Sequence, residues 1–140
     1  MHKLLKCELN YYIMAEITND WLIKKAKSVI KPRKIRHGFV VGDVGCALIT
    51  DKGNVYLGVC MDVSCGMGFC AEHSAIAAMV TNGEHKIKKI VAVTKDGIIP
   101  PCGRCRELMS QVHEDNLKAD VIVGKNETVR LKELLPLSWD

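Results

Sequence analysis

The sequence predicts an α/β layered domain, and three observations carry that reading. Short apolar runs of strand length at residues 44–50, 55–59, 87–94 and 119–123 are set among longer segments with helical apolar spacing. The first two runs are joined by Asp51-Lys52-Gly53-Asn54, a turn that makes them an antiparallel hairpin. Helix-length segments separate the later runs, as parallel neighbours require. At 140 residues, with 48% hydrophobic and 26% charged side chains, the chain fits one domain spanning 1–140 that buries a core without staples.

In chain order, residues 1–15 read as a peripheral N-terminal extension, with strand character at Tyr11-Tyr12-Ile13 and an alternative translation start at Met14. Asn19-Asp20 signals the start of an amphipathic helix carrying Trp21, Leu22, Ile23, Ala26, Val29 and Ile30, which Pro32 closes. Glycine-rich residues 38–45 lead into the first strand. After the hairpin, residues 60–69 form a ten-residue connection of the length that tends to carry function. From Cys70 a helix that is apolar nearly all round (Ala71, Ala75, Ile76, Ala77, Ala78, Met79, Val80) runs to Asn82-Gly83, so it belongs at the centre of the fold. A strand at 87–94, a turn at Lys95-Asp96-Gly97, a helix at 104–112, a strand at 119–123 and a short helix at 131–135 stopped by Pro136 complete the chain.

Charge and cysteine usage narrow the function. A net charge of +4, with Lys and Arg spread along the chain apart from a brief concentration at Lys31 to Arg36, falls short of a nucleic-acid footprint. No run approaches the roughly 18 apolar residues of a membrane span. Residues 1–13 lack a small-residue cleavage site, so a cytoplasmic location is expected. Seven cysteines, at 7, 46, 60, 65, 70, 102 and 105, argue for reduced thiols, some of them holding metal, rather than for a disulfide framework.

Three of those thiols and one carboxylate fall in two pieces, Cys70-Ala71-Glu72-His73 and Pro101-Cys102-Gly103-Arg104-Cys105-Arg106. A zinc ion on Cys70, Cys102 and Cys105 has three protein ligands and an open fourth position, the arrangement of a catalytic site. Each piece opens a helix, where free N–H groups and the positive end of the dipole favour thiolates. Glu72, displaced around its helix from Cys70, is placed to move protons at the open position rather than to ligate. Three thiolates on one divalent ion leave negative charge, which Arg104, Arg106 or a protonated His73 would offset through a hydrogen bond to sulfur. Two blander readings compete. One is a structural zinc site completed by Cys65, and the other is redox use of Cys102 and Cys105, which gives Cys70 and Glu72 no role. Cys46 reads as a small core residue, Cys60 and Cys65 as loop or wall residues, and Cys7 as incidental.

The two pieces resemble the zinc signature of the cytidine deaminase superfamily, a His- or Cys-x-Glu piece followed by Pro-Cys-x-x-Cys. With Cys at the first ligand, the chain is similar to the small free-nucleoside branch, which includes the blasticidin S deaminases. Val44-Gly45-Cys46-Ala47-Leu48 is similar to that family's Val-Gly-Ala-Ala-Leu strand, and Glu133-Leu134-Leu135-Pro136 resembles its C-terminal signature, so the likeness spans residues 20–140. The resemblance implies a three-layer αβα sandwich around a mixed sheet of about five strands, with Zn2+ as cofactor. It implies hydrolytic deamination of a cytosine-type nucleoside, cytidine or deoxycytidine, by zinc-activated hydroxide with Glu72 as proton shuttle. It further implies a homotetramer or homodimer acting on small molecules and not on nucleic-acid polymer.

The departures from the family pattern fall on the substrate side. Family nucleoside deaminases carry Asn-x-Glu to hold the ribose, where this chain has Cys60-Met61-Asp62, and a thiol cannot replace an amide's paired donor and acceptor. Phe39, available to stack on a ligand, joins Cys60, Asp62 and Ala71 as the expected substrate-side residues. Two other readings stay open: deamination of a modified aminopyrimidine nucleoside such as blasticidin S, and a catalytically idle, zinc-stabilised module that binds a nucleoside or a protein partner.

Overall fold

The computed structural model describes residues 17–139, so the expectations for residues 1–15, including Cys7 and Met14, lie outside the described residues. Helix α1 (Asn19–Ser28) is capped by Thr18, which is extended and accepts a hydrogen bond from the Trp21 N–H at 3.2 Å. The cap is therefore one residue earlier than the Asn19-Asp20 signal. The chain continues through β1 (Arg33–Arg36), β2 (Phe39–Thr50), β3 (Val55–Val63), a 3-10 turn at Ser64–Gly66, α2 (Ala71–Thr81), β4 (Ile87–Thr94) and β5 (Gly97–Ile99). It ends with α3 (Gly103–Val112), a second 3-10 turn at Glu114–Lys118, β6 (Asp120–Gly124), β7 (Glu127–Arg130) and α4 (Leu131–Leu134).

One mixed sheet holds all seven strands found among the described residues. β2 is its spine, antiparallel to β1, β3 and β4. β4 runs parallel to β6 and antiparallel to β5, and β7 closes antiparallel on β6. The count exceeds the expected figure of about five because β1, β5 and β7 are only three or four residues long and none of their residues is fully buried, leaving no apolar alternation to read. Parallel pairing is confined to β4 and β6, since β7 returns as a hairpin. β3 continues to Val63, so Cys60-Met61-Asp62 lies on a strand rather than in the ten-residue connection expected there.

Helices cover both faces of the sheet, which explains the near-continuous apolar runs of its central strands. Ala47, Ile49, Val91, Val93 and Ile122 face α1, packing with Leu22, Ile23 and Ala26. Their neighbours Cys46, Leu48, Ile90 and Val121 face the other way, onto Ala71, Ala75, Ile76 and Met79 of α2 and Met109 of α3. The result is the three-layer sandwich. No helix among the described residues is long and apolar enough to cross a membrane.

Helix α2 is fixed at both ends and along its side. A Cβ on Gly58 of β3 would stand 2.4 Å from the Ala75 nitrogen and 2.5 Å from the Ala71 oxygen, so glycine there lets helix and strand backbones touch. Ser74 Oγ donates to the Val59 carbonyl at 2.7 Å. Beyond the helix's C-terminus, the buried Glu84 carboxylate accepts hydrogen bonds from Thr50 Oγ1 (2.7 Å), Asn54 Nδ2 (2.9 Å) and the Tyr56 hydroxyl (2.5 Å), tying α2 to the β2–β3 hairpin.

Candidate metal centre

Cys70 is the N-cap of α2 and Cys102 the N-cap of α3, while Cys105 lies in the first turn of α3. The two helix starts meet, and the three sulfurs lie within 4.8 Å of one another, with Cys70–Cys102 and Cys102–Cys105 both at 3.5 Å. Sulfurs bound tetrahedrally at the usual zinc distance of ~2.3 Å would stand about 3.8 Å apart, so the spacing fits one shared zinc ion. Cys65, exposed in the Ser64–Gly66 turn with φ 62°, stands outside the group, so the donor set among the described residues is three thiols with no fourth protein ligand.

The electrostatics of the thiols support the same fit. Burial foremost, then the Glu72 charge, pushes the Cys105 thiol far above its ordinary range, and burial also raises Cys70. At Cys102 burial works in the same direction, but backbone N–H groups of Cys105 and Arg104 and the neighbouring thiols outweigh it, and its pKa lies below the ordinary value. A set with two reluctant thiols and a carboxylate beside it lacks positive charge, which a divalent cation at its centre would supply.

Glu72, in the first turn of α2, is 4% exposed. Burial raises its pKa, and its own backbone N–H and the Cys105 thiol oppose that only in part. A cavity of about 140 Å³ joins it to Cys70 and Cys102, walled by Val44, Cys60, Ala71, Ile99 and Pro100. Val44 reaches this wall through a bulge in β2, where the register with β3 shifts between Val41 and Gly45, and its N–H meets the Cys60 sulfur at 3.3 Å.

The expected substrate-side residues divide. Cys60 and Ala71 line the cavity, whereas Phe39 and Asp62 are not among its lining residues; they lie on β2 and β3 where Val40 pairs with Asp62 and Phe39 with Val63, and Asp62 is exposed. Val44, Ile99 and Pro100 carry no chemical signal in the sequence, although Val44 stands in the strand motif and Pro100 beside the second cysteine piece. Of the expected cationic neighbours, Arg106 spends its guanidinium on backbone, donating to the Pro101 carbonyl at 2.7 Å and the Leu134 carbonyl at 3.1 Å. Arg104 is exposed. His73 does reach sulfur, its Nδ1 lying 3.3 Å from Cys105, but burial and then the Arg104 charge lower its pKa, which works against the protonated form.

Comparison with known proteins identifies the family. A family profile described as the cytidine and deoxycytidylate deaminase zinc-binding region matches residues 18–122. The chain is 32% identical to a blasticidin-S deaminase from Bacillus cereus over 106 residues, covering 69% of this chain and 76% of the relative. It is 30% identical to a cytidine deaminase from Mycoplasma genitalium over 106 residues, covering 74% and 79%. Among solved structures, cytidine deaminase from Mycobacterium tuberculosis superposes with a TM-score of 0.74 at 23% identity, covering 89% of this chain and 99% of that one. The enzyme from Burkholderia pseudomallei gives 0.70 at 27% identity, covering 88% and 100%.

Proposed function

Because this chain belongs to the cytidine and deoxycytidylate deaminase zinc-binding family, we propose that it hydrolyses the exocyclic amine of a cytosine-type nucleoside with Glu72 as the proton carrier. The chain is a zinc-dependent hydrolytic deaminase, and Cys70, Cys102 and Cys105 are the residues that would hold the ion. Bound there, zinc supplies the Lewis acidity that readies water for attack near neutral pH. The observation that supports this role for Glu72 is its buried carboxyl sharing one small cavity with Cys70 and Cys102.

From that position Glu72 takes a proton from the attacking water as its oxygen bonds to the amine-bearing ring carbon. It hands that proton to the ring nitrogen, then assists the second transfer that lets ammonia leave as the carbon–nitrogen bond breaks. Its raised pKa suits a group that must both accept and return a proton. The apolar walls of Val44, Ile99 and Pro100 keep bulk water from the ring. At about 140 Å³ the cavity is far below the ~300 Å³ at which drug-sized ligands are enclosed, so it holds one ring and leaves the sugar outside. Asp62 and Phe39, out along β2 and β3, are the residues we assign to that outer part.

The test is ammonia release from zinc-loaded protein offered cytidine, deoxycytidine, 5-substituted cytidines, blasticidin S and free cytosine. Turnover of at least one nucleoside is expected, with single-stranded DNA and RNA left intact; no turnover across the panel would sink the proposal. We expect a homo-oligomer, supported by the 41% exposure of Val80 on apolar α2, and light scattering reads it directly.

A further inference from the structure

The chain enters α2 through a tightly held pair of residues. A Cβ on Gly68 would lie 2.1 Å from the Met61 oxygen, so only glycine lets this segment press onto β3. Phe69 then exchanges both backbone hydrogen bonds with Met61, each at 3.0 Å. The anchored Phe69 ring packs on the His73 imidazole, centroids 6.1 Å apart and planes tilted by 37°. One turn into the helix, the His73 N–H bonds the Cys70 carbonyl at 3.1 Å. With ring face and backbone both constrained, Nδ1 sits 3.3 Å from the sulfur of Cys105, a ligand carried by the other helix.

We infer that His73 is a positioning residue of the metal centre, donating its Nδ1–H to the Cys105 thiolate. A thiolate that binds a cation has no proton to give, so a hydrogen bond between these two atoms puts the proton on Nδ1. Its effect is to draw charge from a three-thiolate donor set and to hold the α3 ligand against the α2 ligand. Among the described residues no arginine takes this place, since Arg106 is committed to the Pro101 and Leu134 carbonyls and Arg104 is exposed. The inference rests on the assignment of the three thiols to zinc and on no reaction at the site.

Zinc release to an excess of chelator, followed colorimetrically on the full chain with no substrate present, tests it. His73→Asn keeps an N–H donor at the δ position, whereas His73→Leu keeps similar bulk without a donor. The leucine variant is expected to lose zinc roughly 10–100-fold faster than wild type and the asparagine variant to stay within about threefold, both with unchanged far-UV circular dichroism. In cobalt-loaded protein the thiolate-to-metal charge-transfer band shifts for leucine and not for asparagine. If leucine prevents folding, His73→Phe, which keeps the aromatic contact and lacks the donor, takes its place. Equal release from wild type and both variants overturns the inference. So does equal acceleration in both variants, which would assign the effect to packing on Phe69, and so does a wild type that holds no zinc. Ammonia release is measured separately: a protein that holds zinc in this way yet deaminates nothing would end the deaminase proposal and leave the role of His73 standing.

Discussion

Glu72 and Glu84 are two carboxylates buried beside opposite ends of the same helix, at 4% and 5% exposure, and the protein treats them in opposite ways. Around Glu84, three side-chain donors from the β2–β3 hairpin close on the carboxylate. Burial works to raise its pKa, but the hydrogen bonds from Tyr56, Thr50 and Asn54 and the Lys52 charge outweigh that, and it lies below its ordinary value. Around Glu72 the neighbours are thiols, apolar walls and an open cavity, and burial carries its pKa upward. Similar solvent exposure thus goes with a lowered pKa at one end and a raised one at the other. The number and reach of the donors decide which.

The strongest way to break this contrast is to remove each carboxylate in turn. Glu72→Gln is expected to lower turnover by about 10²–10⁴-fold while zinc content and melting temperature stay at wild-type values; ammonia release and a metal assay read the two halves. Wild-type activity in that variant would remove Glu72 from the chemistry. Next in size is Gly58→Ala, which drives a methyl group into the backbone of α2 and should destabilise the fold by about 3 kcal/mol, measured by denaturant melts. An unchanged melt would mean that the helix and strand are not pressed together as described.

Glu84→Ala leaves Thr50, Asn54 and Tyr56 without their acceptor and should cost about 2 kcal/mol, with turnover per folded molecule unchanged. Loss of turnover without loss of stability would reverse the roles of the two ends. The smallest effect is on pH dependence. The folded-state pKa of Glu84 is depressed below an ordinary value near 4.5, so its contribution to stability is present above that pH and is lost as pH falls through the lower folded value. Glu84→Gln is therefore expected to flatten the acid side of a stability-against-pH curve below about pH 4.5. A slope identical to wild type would exclude Glu84 as its source.

How much of this was legible in the sequence follows from what each element buries. The central strands and α2 were readable because both faces of β2 and β4 are covered, leaving continuous apolar runs. β1, written Arg-Lys-Ile-Arg with every residue exposed, gave no apolar period to find. The ligand set was legible because Cys-x-Glu and Cys-x-x-Cys are local spacings, each held within one turn of helix. The cavity wall was not. Val44 is aimed there by a bulge whose register depends on β3, and Ile99 and Pro100 by the pairing of β5 with β4; no local pattern encodes either. Arg106 was readable as a cation but not as a backbone clasp, because the Leu134 carbonyl it holds lies 28 positions away.

Cys70 and Cys102, whose sulfurs stand side by side, are 32 positions apart in the chain. An ion gripped by both closes a loop that contains α2, β4 and β5, much as a covalent cross-link would. Unlike a disulfide, the ion is gripped only by the folded chain, so what it adds to stability is its binding free energy, which grows with the concentration of free ion. Metal availability would then bear on the stability of the folded chain as well as on its catalysis.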